Sequence, residues 1–510
     1  MSKLKEKLSS AKGKRMLTST SLTALLLGLV IVVNVIVYIC TVNYGLYLYS
    51  VDDYDLTISG STDAFFEDYL GKSKKVTVMF CTSLDVINSS SDEVSFFHDT
   101  ASQFAKKYPS LVELEYVNII TKRSSTGEII EDLDKYRTVD ENGNVFPLYS
   151  TSVIFTCGEK YKVINDVASS VFTYDVTSSS TVNYTSYNGE EVFAGMVARV
   201  LNENDKTAYF TTYHGEVADV AFANMLSCAG YNIQTIDLRK SEIPDGAELI
   251  VISNPKKDFE RAAENSGSRS EIEKLREYMQ SGGNIYVALD PYVKKLTILE
   301  SFIAEYGISF SEVETEDGIV KNIVKDRTNA ITTDGFTLVA DMADTEFSAK
   351  ITENIEPYTD SKVILEKCAV LELEEGSGAE PILMTSKNSY TFASGKETGA
   401  EGNYCIAAKS TYINKEGVSG DMFVVPSIFM TANDALTNSG YANRNFIYSL
   451  VDELFDAEKV PYGCNVIYMD NGVLENLTMG AAKAYTWLIM ALPASIAVLG
   501  AVVTIRRKNR

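Results

Sequence analysis

Residues 207–216 read TAYFTTYHGE. An apolar run of alternating β-formers ends in a turn that carries His214, Gly215 and Glu216. The next residues, 217–229, have helix-like apolar spacing. Strand, polar turn and helix is the unit that an open α/β sheet repeats, with its site at the carboxyl ends of the strands. The following segments keep the alternation. Strands are expected at 232–238, 248–253 and 284–289, and helices at 270–281 and 295–306. Gly230 and the pair Gly282-Gly283 stand where those helices should stop. Residues 206–310 are therefore expected to form a flavodoxin-like open sheet.

Working outward, residues 51–205 form a first α/β domain. A strand within 74–80 follows an early strand at 55–59 (DLTIS). A helix over 93–108 stops at Pro109, and a strand over 111–120 follows. This β-α-β order implies a parallel pair. TSVIFTC and YKVI, separated by Gly158-Glu159-Lys160, read as a hairpin. A short amphipathic helix over 190–201 closes the domain, which is thioredoxin-like in outline. Cys81 follows its first strand, but Leu84 stands where a resolving cysteine would be, so thiol redox chemistry is not expected. Residues 311–460 hold strand-like runs separated by Gly- and Ser-containing loops. They read as a β-rich extension packing on the second domain, with a late buried strand in 421–430 and a closing helix marked by Phe446, Ile447, Leu450, Val451, Leu454 and Phe455.

Charge sets the topology. The 510 residues carry a net charge of −23. Residues 1–15 hold +5 and the last five residues +4, so everything between them carries −32. No charge occurs between Arg15 and Asp52, nor between Lys483 and Arg506. Each run is long enough to span about 30 Å of hydrocarbon as a helix. The chain accordingly divides into a basic tail at 1–16, a membrane helix at 17–50, the exported body, a connector at 461–483, a second membrane helix at 484–505 and a basic tail at 506–510. Basic clusters outside both runs place both termini in the cytoplasm and the bulk of the chain beyond the plasma membrane. Tyr44, Tyr47, Tyr49, Tyr485 and Trp487 suit an outer aromatic belt. The first run is too long for a cleaved signal. A body this acidic repels nucleic acid.

The chemistry that can be tested by motif is mostly excluded. Gly71-Lys72-Ser73 lacks the glycine of a phosphate loop, since Phe66 stands there. Two histidines cannot make a histidine-rich zinc site, the seven cysteines are scattered singly, and DDYD at 52–55 lacks the spacing of a calcium loop. No metal or cofactor is expected. Two readings remain for the strand ends of the second domain, where His214, Glu216, Asp237, Asn254, Lys256 and Asp290 fall. These polar groups either converge on a ligand or partner, or they cap helices and brace loops. Catalysis is not expected, because no nucleophile accompanies His214.

The motifs TAYFTTYHGE, SCAGYNIQTIDLRKSEIPDGAELIVISNPKKDF and LREYMQSGGNIYVALDP, followed late by YANRNFIYSLVDELF and a basic-tailed apolar run, occur in an order that resembles the GldG-like auxiliary component of gliding-motility-type ABC transporters. The resemblance covers about residues 75–310, and 420–510 more loosely. It implies a membrane-anchored exported body with a region similar to glutamine-amidotransferase-like folds without their chemistry. The same resemblance implies partners, a separate permease and a separate ATP-binding subunit. Many members carry glycine where Tyr213 stands and Gly-Pro-Lys where this chain has Asn254-Pro255-Lys256. The expected function is a non-enzymatic transporter accessory subunit. The alternative is an exported sugar- or peptide-binding receptor using the edge around His214.

Overall fold

Residues 56–469 are described by a computed structural model, apart from 68, 71–73, 91, 125–132, 140–144, 177–181, 203–205, 218, 261–268, 316–317, 439, 456 and 458–459. The expected membrane helices, both basic tails and DDYD lie outside the described residues. Among the described residues, no helix is long and apolar enough to cross a membrane. The fold is mixed α/β.

The first sheet is built from β1 (Val76–Phe80), β2 (Val112–Asn118), β3 (Val153–Cys157) and β4 (Lys160–Ile164). Its order is β2-β1-β3-β4, with a two-residue strand beyond β2. β1 and β2 are parallel, joined through α1 (Glu93–Lys107), whereas β3 runs antiparallel to both β1 and β4. Asp92 starts α1 by accepting the Ser95 N–H at 3.0 Å. α2 (Gly189–Leu201) covers the same sheet face. Phe104 of α1 and Phe193 of α2 stack at 4.3 Å over the strand residues Val78, Phe80 and Phe155. The strand expected at DLTIS does not form. Residues 56–59 carry no regular structure and a helix, Gly60–Glu67, follows. The Ser59 N–H and hydroxyl are taken up by Glu190 rather than by a strand neighbour.

The second sheet is larger. In chain order its main elements are β5 (Lys206–Thr211), α3 (Val220–Cys228), β6 (Tyr231–Ile236), β7 (Ala247–Ser253), α4 (Glu271–Gln280), β8 (Asn284–Ala288), α5 (Thr297–Ala304), β9 (Thr337–Met342), α6 (Glu346–Ile355), β10 (Val363–Glu366), β11 (Ala379–Met384), β12 (Cys405–Ile413), β13 (Ser419–Val425) and α7 (Asn443–Leu454). The strand order is β6-β5-β7-β8-β13-β12-β11-β9-β10 within an 11-stranded sheet. β6, β5, β7, β8 and β13 are parallel, and from β13 to β10 every pairing is antiparallel. The β-rich segment is thus no separate layer. It continues the same sheet by backbone hydrogen bonds through β13.

Alternating residues of the central strands feed two different cores. Leu249, Val251, Tyr286, Phe423 and Val425 face α3 and α7, meeting Phe222, Met225, Phe446 and Leu450. Ile250, Ile252, Ile285, Val287 and Val424 face α4 and α5, meeting Leu275, Met279, Leu299 and Phe302. Burial on both faces explains why these strands read as continuous apolar runs. Each such side chain contributes about 1.5–3 kcal/mol. The two sheets join where α2 crosses α3. A Cβ at Gly195 would meet Cys228 Cα at 2.7 Å, so the helices can approach this closely only at a glycine. Glu191, fully buried, is held there by Arg444 and by the Tyr448 hydroxyl.

The two ends of the described chain meet beside α2. Glu190, at its first turn, accepts from Ser59 N–H (2.8 Å), Ser59 Oγ (2.6 Å), Thr62 Oγ1 and Asn465 N–H (3.2 Å). Ser61 Oγ donates to Gly463 O at 2.6 Å, and Asn465 Nδ2 to Thr57 O at 3.4 Å. Ile467 then pairs with Tyr187 in a short antiparallel ladder.

Candidate functional site

The turn after β5 is fixed by backbone bonds before any side chain is considered. Thr212 N–H donates to Ile236 O at 3.0 Å. Lys256 N–H and Lys257 N–H both donate to His214 O, at 2.8 and 2.9 Å. Val217 N–H donates to Ser253 O at 3.1 Å. The turns that follow β5 and β7 are therefore locked to each other. Tyr213 and Asn254 sit in the left-handed region, with φ of 91° and 57°. For non-glycine residues that conformation is strained.

His214 is 1 % exposed. Its ring lies flat on Phe259, 4.2 Å between centroids and 9° between planes. Nδ1 is 3.2 Å from Asp258 O, and Nε2 is 2.9 Å from Glu271 Oε1. Both partners are acceptors, so both nitrogens are satisfied only when the ring carries two protons. Burial pushes the imidazole pKa down. The hydrogen bond and charge of Glu271, aided by the charge of Glu216, outweigh that and raise it above its ordinary value. Glu271 is also nearly fully buried, and its Oε2 accepts the Glu260 N–H at 2.7 Å. Asp258 carries the link onward: its carboxylate accepts the N–H groups of Ile298 (2.8 Å) and Leu299 (3.1 Å) at the start of α5. The histidine thus ties the β5 turn to the starts of two helices. Both ring nitrogens are thus engaged inside the fold.

The other expected residues line the same edge. Asp237 forms a fork with Arg239, Oδ1 to Nε at 3.0 Å and Oδ2 to Nη2 at 2.7 Å. Arg239 holds the Asp237 carboxyl down at about 2. The Arg239 guanidinium in turn covers the Tyr213 ring, which is half exposed. Lys256 Nζ bonds Asp290 Oδ2 at 2.9 Å. Asn254 N–H donates to Ala288 O at 2.8 Å. Glu216 and Asn254 are different. Both Glu216 carboxylate oxygens and Asn254 Oδ1 are buried, and no donor among the described residues reaches them.

All six expected positions therefore lie along one edge, with Asp237 joined to His214 through Arg239 and Tyr213. Sequence reasoning missed Glu271, Asp258 and Phe259. Glu271 lies 57 residues beyond His214, and only the Ser270–Glu273 capping box marked its helix start. Among the described residues, no group of three or more His, Cys, Asp or Glu side chains could hold a metal. Cys81 is buried, which pushes its thiol up to about 12. His98 is also buried, with Nε2 2.8 Å from the Tyr116 hydroxyl.

No family model matches the chain, and no protein of curated function matches it. Among solved structures, the mmIFT52 N-terminal domain is 18 % identical, with a TM-score of 0.35 over 48 % of this chain and 95 % of its own. PurLQS from Thermotoga maritima is 12 % identical, with a TM-score of 0.27 over 49 % and 99 %. Agd3, a carbohydrate deacetylase, is 11 % identical, with a TM-score of 0.24 over 44 % and 30 %. Likeness at this level carries no argument about function.

Proposed function

We propose that this chain is a non-enzymatic, membrane-anchored accessory subunit of an ABC transporter, whose exported body contacts partner subunits or substrate. The observation that carries the reading is the meeting of the two ends of the described residues at Glu190. A body hung from two membrane helices must send both connectors toward one membrane face. Ser61 on Gly463 and Asn465 on Thr57 hold the connectors side by side. The uncharged runs at 17–50 and 484–505 supply the anchors in this reading.

Two further features support it. His214 is engaged as a brace through Asp258 and Glu271, which suits a scaffold edge rather than a reacting group. The chain carries no phosphate loop, so ATP hydrolysis and the permeation path belong to separate chains, a permease and an ATP-binding subunit. We read the parallel order β6-β5-β7-β8, with helices on both faces, as the flavodoxin- or amidotransferase-like domain, and β2-β1-β3-β4 as the thioredoxin-like one.

The test is topology labelling in intact cells. Single cysteines placed at Ser2, at exposed Tyr292 and at Asn509 are probed with a membrane-impermeant maleimide. The reading requires labelling at the Tyr292 position alone. Labelling at either terminus, or protection of the body, contradicts it.

A further inference from the structure

We infer that a cleft beyond β8 binds a small amphipathic carboxylate, an acid with an aromatic or alkyl body. The cleft has a volume of about 430 Å³, within the range of clefts that hold small molecules. It lies between the loop that leaves the parallel part of the large sheet and the β-rich segment. One wall is that loop, residues 291–295, and the other is the hairpin formed by Glu312–Thr315 and Gly318–Lys321. Phe392 and the turn at Ser394-Gly395 complete it. Two contacts fix the walls. Lys295 Nζ bonds Glu312 Oε2 at 2.6 Å. Lys321 Nζ reaches Glu300 Oε1 at 2.9 Å and Val293 O at 3.4 Å. The cleft is therefore formed before any ligand arrives.

Opposite residues of the hairpin share a face, so Glu312, Glu314, Ile319 and Lys321 lie on one side of it. That face is buried at Lys321, whose side chain is 4 % exposed. It opens two residues away at Ile319, which is 60 % exposed. Tyr292 lines the same cleft and is exposed as well. Large apolar side chains left in water around one cavity mark a surface that a ligand covers. The rings of Tyr292 and Phe392 offer it stacking partners. The charge of the walls selects the ligand. Lys294, Lys295 and Lys321 stand there against the single carboxylate of Glu312. Glu312 takes Lys295, and Glu300 beneath takes Lys321. Lys294 has no hydrogen bond or ion pair among the described residues. Asp290, just before the loop, is held by Lys256, and Glu314 is exposed outside the walls. The walls thus keep one positive charge on a chain that is acidic overall, which favours an anion here over a cation. One free ammonium suits one carboxylate, and the apolar surface beside it suits the hydrocarbon body.

The test uses the full-length chain in detergent micelles, with calorimetry against empty micelles and hydrogen exchange. The probes are 3-phenylpropionate, 3-phenylpropionamide and 3-phenylpropylammonium, which share one body and differ in charge. The carboxylate should bind saturably, the amide about tenfold more weakly, and the ammonium not at all. Exchange should slow over 291–295 and 318–323 when the carboxylate is bound. Lys294→Gln should lower the affinity for the carboxylate about tenfold, as for loss of a charge-assisted bond, and leave the amide unchanged. Ile319→Ser should lower both affinities about threefold or more, as for loss of apolar contact. Lys294 and Ile319 are both exposed, so these variants should keep the fold. No saturable binding of the carboxylate, equal binding of carboxylate and ammonium, unchanged carboxylate affinity in Lys294→Gln, or protection confined to other segments overturns the proposal.

Discussion

His214 Nε2 and Glu271 Oε1 lie 2.9 Å apart in a pocket closed to water, between a strand turn and a helix start. The pair is an imidazolium–carboxylate contact with a backbone carbonyl behind the ring. Its value to the fold depends on pH. The folded pKa of His214 is raised above its unfolded value, so the stabilisation is fully present below the unfolded pKa, about 6.5, and is lost as pH rises through the folded pKa. Urea unfolding should give lower stability at pH 9 than at pH 6, and the difference should shrink in the double variant His214→Gln, Glu271→Gln. An unchanged pH profile in that variant would assign the dependence to other groups. Glu271→Ala alone should cost about 3–5 kcal/mol, because it leaves a buried imidazolium unpaired.

Glu190 binds both ends of the described residues through four donors, from Ser59, Thr62 and Asn465. Glu190→Ala should release the ends without unfolding the sheets. Hydrogen exchange should rise over 56–62 and 463–469 and stay level in β7 and β8. The loss in stability should be about 1–3 kcal/mol, the penalty for leaving donors unmet. Exchange spreading to the central strands would mean that Glu190 supports the core instead.

Tyr213 holds a φ of 91° under the Arg239 guanidinium. Tyr213→Ala keeps the strain and loses the stacking. Tyr213→Gly loses the stacking but removes the strain. The glycine variant should therefore be more stable than the alanine variant, by about 1 kcal/mol. Equal stabilities, measured by urea unfolding, would show that the turn relaxes in both.

Cys81, Cys228 and Cys464 are buried, and burial pushes each thiol up to about 12. A thiol reagent at pH 8 should leave all three unmodified in the native chain and modify them in urea. Rapid native labelling of Cys81 would reopen redox chemistry at the first sheet.

Much of this fold can be read from local pattern. The strands 247–253 and 284–288 announce themselves because burial on both faces makes them almost continuously apolar, and 206–211 shows its β-formers in alternation. The helices 271–280 and 443–454 show one apolar stripe each. What could not be read is pairing over long separations. Ile285 pairs with Met422, and no periodicity in either strand names the other as its neighbour. That single pairing turns an apparent extension into one sheet. The same limit applies at the edge. His214 is legible as the end of a strand, and bracing a loop is among its expected structural roles. Glu271 is not, because its chemistry comes from burial beside His214 rather than from spacing. The clasp at Glu190 was equally hidden, since an acidic residue in a first helical turn has an ordinary local reason to be there.

The accessory-subunit reading is tested most directly by affinity purification of the full-length chain from its native membranes in mild detergent, followed by mass spectrometry of the complex. A separately encoded permease and ATP-binding subunit should be recovered in fixed ratio with the chain, and the complex should hydrolyse ATP. Recovery of the chain alone as a monodisperse particle, with neither subunit and no ATP hydrolysis, would contradict it.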